Sequence, residues 1–450
     1  MKIRNLVATG LLVVLCLFQT LDVWAVSPFK DHRYNGFTAL PEYKEGDILF
    51  IGNSITHMIN WNELFGNTGK VHNRGVSGAY TSEILENFDD LISDKLSKVF
   101  LMIGTNDLGT QGPENVPDSV AQRIMTIITK IREKAPNTEI YYESILPSTV
   151  GLRTQSKTEA TNEKVKNWID SMNSDMVKYV DLYSLLVDEE GNFKDTKEPP
   201  HESALSYDGL HLTQKGYKIW ADHIKNLVGF EPVIPSDAVN LAAEVRGSNA
   251  MASTNFGVLP IEKDDIVLIG DEMIASGEWQ ELLGSTKIKS RGIGWGFPGM
   301  RIPSFISVIG PMFNGNREFG VVRESPKAVA IYLGVNDILY DDPVDIFLNY
   351  KHFVDNLKST LPGTQLYIVT GLPFAASDTN YNKKLSELNG YLRVFSENDD
   401  QIFLIDAAKE FSDENGRREE FFIYEDNVYI NGEGYKKLAE LFKDHLPLNK

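Results

Sequence analysis

Four short segments in the first half of this 450-residue chain carry side chains suited to acyl transfer. Ser54 follows the apolar run DILFIGN and precedes ITHM, so it stands where a strand gives way to a helix. A serine there is close to free backbone N–H groups and the positive helix end, which favour a developing oxyanion; the same placement also suits a plain N-cap. Residues 73–78, NRGVSG, offer glycines at which a backbone N–H can approach a substrate, or at which the chain merely turns. Residues 104–107, GTND, close another apolar run. The Asn106 amide could serve the same oxyanion, or Asn106 and Asp107 could bond their own backbone in a turn. Residues 208–211, DGLH, supply an imidazole three positions after a carboxylate.

Histidine titrates near neutral pH and is the natural base for a serine hydroxyl, and a carboxylate on its other ring nitrogen fixes the tautomer. The combined chemistry is two-step acyl transfer. His211 takes the Ser54 proton as Ser54 attacks an ester carbonyl, an acyl-enzyme forms, and water releases the acid.

In type, order and strand-end placement, the four segments resemble the SGNH hydrolases, a branch of the GDSL-type esterases and lipases. The resemblance covers essentially the whole first half. It implies Ser54 as nucleophile and His211 as general base oriented by Asp208, with an oxyanion hole from the N–H groups of Ser54 and Gly78 and the Asn106 amide. Gly78 matches the family position better than Gly75, and Asn53 stands where the family name expects Asp. His57 and Tyr80 are further candidate substrate contacts. A hydrolase of this kind needs no cofactor, and no histidine cluster has metal-ligand spacing. His72 and His201 are read as loop residues, and His223 lies on an amphipathic stretch.

The pattern occurs twice. DILFIGNSITHMINWNELFG at 47–66 is matched by DIVLIGDEMIASGEWQELLG at 265–284, at a constant offset of 218. Near the ends of the copies, DGLHLTQKGYKIWADHI faces DNVYINGEGYKKLAELF at the same offset. In the second copy Glu272 replaces Ser54, Tyr429 replaces His211 and Trp295 lies in the Gly78 region, while Asn336 and Asp426 persist. Without nucleophile and base the second copy is expected to be inactive. Its remaining roles are a structural partner packed on the first copy, a glycan site built on Trp295 and Tyr429, or, on fewer ligands, a calcium site around Asp271, Glu272, Asn336 and Asp426.

Each copy alternates short β-rich runs with amphipathic stretches such as SVAQRIMTIITKIREK and NEKVKNWIDSMNSDM. That alternation predicts parallel β-α-β units, hence an α/β fold of two tandem three-layer α/β/α, flavodoxin-like domains with ligands at the carboxyl ends of the strands. The expected organisation is an export signal at 1–25, a catalytic domain at 26–233 and a degenerate one at 234–450. Lys2 and Arg4 precede the apolar run LVATGLLVVLCLF and the small-residue pattern ending at Ala25. Signal removal would take Cys16, the only cysteine, and with it any disulfide or thiolate chemistry. The formal charge of −19 argues against nucleic acid and anionic membranes.

These readings favour a periplasmic or secreted esterase that removes acyl groups, acetyl above all, from a carbohydrate or another small molecule. Polar loops such as LPSTVGLRTQSKTEATNEK suit hydrogen bonding to a sugar. A lysophospholipase or short-chain lipid acylhydrolase is the second expectation, and a non-enzymatic glycan-binding protein the third.

Overall fold

The computed structural model describes residues 28–191, 193–194, 205–206, 208–233, 259–294, 300–306, 324–414, 416–423 and 428–448. The expected export segment, His201, Trp295, Asp426 and most of the stretch joining the copies lie outside them. Among the described residues no helix is long and apolar enough to cross a membrane.

Helix α1 (Pro28–Phe37) leads into the first copy. Its strands are β1 (Asp47–Gly52), β2 (Val71–Gly75), β3 (Leu96–Met102), β4 (Glu139–Glu143) and β5 (Val177–Val180). They form one parallel sheet in the order β2-β1-β3-β4-β5. This is the doubly wound order of flavodoxin-like folds, in which the chain reverses direction beside β1. The helices of this copy that bear on the site and its core include α2 (Ser54–His57), α3 (Trp61–Leu64), α4 (Pro117–Lys134), α5 (Gln155–Met172) and α6 (Gln214–Val228). The second copy repeats the plan. Strands β6 (Ile266–Gly270), β7 (Ile288–Gly292), β8 (Ala328–Tyr332), β9 (Gln365–Val369) and β10 (Ile402–Ile405) are ordered β7-β6-β8-β9-β10. Around them lie α7 (Glu272–Ala275), α8 (Trp279–Leu283), α9 (Pro343–Thr360), α10 (Thr379–Glu397) and α11 (Gly432–His445).

Strand alternation builds the layers. Leu49, Ile51, Val99, Leu101, Ile140 and Tyr142 face α4 and α5, whose Ile124, Ile127, Ile128, Ile131, Val165 and Ile169 complete that core. Ile48, Phe50, Phe100, Met102 and Tyr141 face the other way, toward Trp61 and the α6 residues Tyr217, Trp220 and Ile224. On that side Phe50 stacks between Trp61 (4.1 Å) and Phe100 (4.7 Å), and Trp220 meets Trp61 edge-on at 4.8 Å. The predicted helices at 119–134 and 162–176 are found at Pro117–Lys134 and Gln155–Met172. The second starts earlier because Thr154 caps it, accepting from the Lys157 N–H, and ends where Asn173 takes left-handed φ.

The copies pack against each other through equivalent surfaces. The Arg74 guanidinium holds Glu281 with two bonds of 2.8 Å, and Arg291 holds Glu63 with bonds of 3.1 and 2.9 Å. Glu63 and Glu281 are equivalent positions in the repeat, as are Asn62 and Gln280, which bond each other at 2.6 Å. The interface is therefore isologous, the arrangement expected of a two-fold dimer but made within one chain. α1 belongs to neither side alone. His32 stacks on Tyr435 (5.3 Å) and lies tilted against Tyr429 (4.8 Å) of the second copy, while Lys30 pairs with Glu83 of the first.

His72 corrects a sequence reading. It lies in strand β2, buried, not in a loop. Its Nε2 is 2.9 Å from Asp47 and its Nδ1 3.0 Å from Glu281 across the interface. Burial alone would depress its pKa, but the two carboxylates outweigh burial and raise it to about 9 from 6.5. A pKa raised on folding gives stability that is complete below about pH 6.5 and lost as pH climbs through about 9, on the order of 3 kcal/mol here. Thermal unfolding between pH 6 and 9.5 should show a falling midpoint in the parent protein and a flatter profile in His72→Gln. Parallel profiles would exclude this role.

Candidate active site

The site forms at the carboxyl ends of β1, β2 and β3. After β1 the chain turns at Asn53, which sits in extended conformation and accepts from the Ile55 N–H at 2.9 Å. Asn53, not Ser54, is therefore the cap of α2, and the Ser54 hydroxyl is free for other work. It meets His211 Nε2 at 2.9 Å. His211 Nδ1 lies 2.7 Å from Asp208 Oδ2. A carboxylate can only accept, so the proton sits on Nδ1, and Nε2 is left to receive the Ser54 O–H.

Asp208 is held as firmly as it holds. Its Oδ1 accepts from the backbone N–H groups of Leu210 (2.9 Å) and His211 (2.7 Å), closing a tight turn in which Gly209 has φ +80°. Partial burial pushes its pKa up, but the bonds and charge of His211 and the two backbone donors prevail and hold it below the usual carboxylate range. The Tyr217 hydroxyl on α6 donates to the Ile55 carbonyl at 2.6 Å, tying the helix after His211 to the helix after Ser54.

The other predicted residues lie on the loops that follow β2 and β3. Gly78 is exposed with φ +80°, a conformation that a side chain would strain. Asn106 donates from Nδ2 to the Ala79 carbonyl (3.0 Å), and Arg153 donates to its Oδ1 (3.2 Å), so its amide orientation is fixed from both ends. The GTND segment is thus no self-bonded turn. Asp107 is buried and accepts from Thr81 N–H, Thr81 Oγ1 (2.6 Å) and Arg123 (2.9 Å). Tyr80 is half-buried, its hydroxyl 3.2 Å from Thr110 and its ring beneath Lys30.

His57 is enclosed between the two copies. It is 6% exposed, and its Nδ1 accepts from the Ser77 N–H (3.3 Å) and lies 3.0 Å from the Ser77 hydroxyl. Its other face turns to the Ala275 carbonyl of the second copy. Arg153 and Arg123 escaped the sequence reading because isolated basic residues in a loop and on a helix carry no spacing signal. Arg153 is the one cation in the loop between β4 and α5, and nothing in the pattern showed that it folds back over Gly109 onto Asn106.

In the second copy the equivalent position holds Glu272, buried, with Asn336 donating to it at 2.9 Å. Asp271 caps α7 as Asn53 caps α2. Tyr429 occupies the His211 position but is 2% exposed beneath His32, so the expectation of a glycan platform at Tyr429 is overturned. Of the four polar residues expected to gather here, Asp271, Glu272 and Asn336 do so. Among the described residues His352 and His445 lie on α9 and α11 and bond Asn356 and the Leu441 carbonyl.

Comparison with known proteins places this geometry in a family. The model of the GDSL-like Lipase/Acylhydrolase family matches residues 50–219 and 275–437, most of the chain. The chain belongs to that family, in two tandem copies, and is a carboxylic ester hydrolase. Comparison with curated protein sequences gives no match. Similar solved structures include a provisional platelet activating factor from Streptococcus pneumonia, at 28% identity over 50% of this chain and 99% of that one, TM-score 0.39. A GDSL-like lipase from Bacteroides thetaiotaomicron aligns at 21% identity over 45% and 98%, TM-score 0.36. A catalytic mutant of an acetylxylan esterase from Geobacillus stearothermophilus aligns at 20% identity over 42% and 97%, TM-score 0.32.

The buried Glu272 makes a measurable demand. Burial raises its pKa to about 7, against the pull of the Asn336 bond and its own backbone N–H. Burial and the charge of Glu272 drive Asp271 up as well. A carboxyl raised on folding loses its stabilising contribution as pH rises from about 4.5 through about 7. Glu272→Gln should therefore gain stability relative to the parent as pH rises from about 5 to about 8. Denaturant melts at the two pH values test this, and an equal or lower relative stability at pH 8 would refute it.

Proposed function

We propose that the first copy is the catalytic half, a serine esterase acting through Ser54, His211 and Asp208 on acyl, chiefly acetyl, esters of carbohydrate. One observation carries the reading: the Ser54 hydroxyl is 2.9 Å from an imidazole whose far nitrogen is 2.7 Å from a carboxylate. As Ser54 attacks the ester carbonyl, its proton passes to His211 Nε2, and Asp208 stabilises the imidazolium. The tetrahedral oxyanion is received by the N–H groups of Ser54 and Gly78 and by Asn106 Nδ2, aimed in advance by Arg153 and Ala79. His211 then protonates the departing alcohol. A water, deprotonated by the same nitrogen, attacks the acyl-enzyme and frees Ser54.

A sugar ester is favoured because the rim is polar, with Arg153, Thr110 and Tyr80 around Asn106. The segment at 1–25 supports export to the periplasm or beyond. The second copy, with Glu272 and Tyr429 in place of nucleophile and base, is read as non-catalytic.

On a nitrophenyl acetate, Ser54→Ala should be nearly inactive. Asn106→Ala should lose roughly a hundred- to a thousandfold in kcat, about 2.7–4 kcal/mol of barrier. Full activity in purified Ser54→Ala protein would overturn the assignment. Preference for acyl chains of about eight carbons or more over acetyl would shift the substrate from sugar to lipid.

A further inference from the structure

The loop that carries Gly78 is not anchored by its own domain alone. Residues 73–78, the last part of β2 and the loop that follows it, are tied to the second copy at three points. Arg74 grips Glu281 with two bonds of 2.8 Å. His57, whose Nδ1 holds the Ser77 N–H, turns its other side to the Ala275 carbonyl. Arg33 on α1 is 1% exposed and spans the junction: Nε donates to the Gly75 carbonyl (3.2 Å), Nη1 to the Ser276 carbonyl (2.7 Å), and Nη2 to Glu278 (2.5 Å).

Gly75 has no room to yield. A Cβ there would lie 2.3 Å from the His57 backbone nitrogen. The Val76 N–H is tied to the Gly52 carbonyl at 3.0 Å, immediately before Asn53 and Ser54. Movement of Gly75 would therefore be transmitted both backward to the Ser54 turn and forward to Gly78. The Ala275 and Ser276 carbonyls lie at and just past the end of α7, the short helix that opens with Glu272, and the Glu278 and Glu281 carboxylates follow on the next turn and helix. His57 and Ala275 are equivalent positions in the repeat, so the contact sits on the pseudo-two-fold axis.

We infer that the second copy is a positioning element for catalysis by the first: through Arg33, it fixes the oxyanion loop by means of Ser276 and Glu278. This rests on the reading that Ser54 and Gly78 act in acyl transfer. Arg33, Glu278 and Ser276 are positioning residues and touch no substrate. A buried guanidinium with three directed donors fixes a carbonyl in direction as well as distance, which a lysine cannot reproduce.

The test uses the full chain. Arg33→Met, Arg33→Lys and Glu278→Gln are compared with the parent for kcat and KM on a nitrophenyl acetate, for thermal midpoint, and for affinity toward a trifluoromethyl ketone, which mimics the tetrahedral adduct on Ser54. Arg33→Met should lose roughly ten- to a hundredfold in kcat, with KM within about twofold and ketone affinity falling in step with kcat/KM. Arg33→Lys should recover thermal midpoint more than kcat. Glu278→Gln, at a position with an 18% exposed side chain, keeps shape and an acceptor and should fold, with a smaller kcat loss of the same kind. Folded Arg33→Met with parental kcat overturns the inference. If that variant does not fold, parental kcat in Glu278→Gln does so. Activity surviving in Ser54→Ala sinks the triad instead, which separates the two failures.

Discussion

The bond that Asn53 accepts from the Ile55 N–H is small, but the proposed chemistry depends on it. A strand that ends at a helix start leaves N–H groups wanting an acceptor, and the nearest short polar side chain is drawn to cap them. Were Ser54 that side chain, its hydroxyl would be spent on the backbone. With Asn53 in the role, the hydroxyl of the next residue points away from the helix and toward His211. The same device persists in the second copy, where Asp271 caps α7 although no nucleophile follows. Capping there serves folding, and its retention shows that the turn is a structural requirement of the sheet edge before it is a catalytic one.

Around that turn the key side chains are held by several directed hydrogen bonds each. Asp208 takes three bonds, Asp107 four, and the amide of Asn106 is engaged at both ends. Saturated polar groups in a partly dry setting resist reorientation, and electrostatic stabilisation of a transition state needs dipoles that are already aimed. The second copy shows the contrast. Glu272 and Asp271 crowd two carboxyls into one buried place with an amide between them, and both are pushed toward the protonated form.

Much of the arrangement was legible in the residues. The repeat, the alternation of strands and helices, and the convergence of Ser54, Asn106, Asp208 and His211 follow from local patterns, because hydrophobic period and strand-end placement are written along the chain. What was hidden depends on contacts between segments far apart in sequence. His57 and His72 read as pocket or loop residues because nothing local tells that Ala275 and Glu281 will lie against them. Tyr429 seemed an aromatic platform because nothing near it shows that a helix four hundred residues earlier would cover its ring. Arg33, in a stretch with no periodic signal of its own, gave no hint that it would be among the most enclosed cations of the described residues.

The mirrored pairs Arg74–Glu281 and Arg291–Glu63 have a consequence for how such a chain can change. In an assembly of two identical subunits every substitution arrives twice, so a loss at one nucleophile is a loss at both. Joining the halves in one polypeptide breaks that tie. One half can give up its serine and histidine and fill the space with carboxyls and rings, while its outer face goes on meeting the partner as before. Covalent linkage also keeps the halves at high local concentration, so the junction can carry polar and charged contacts that two free subunits would find too weak to stay together.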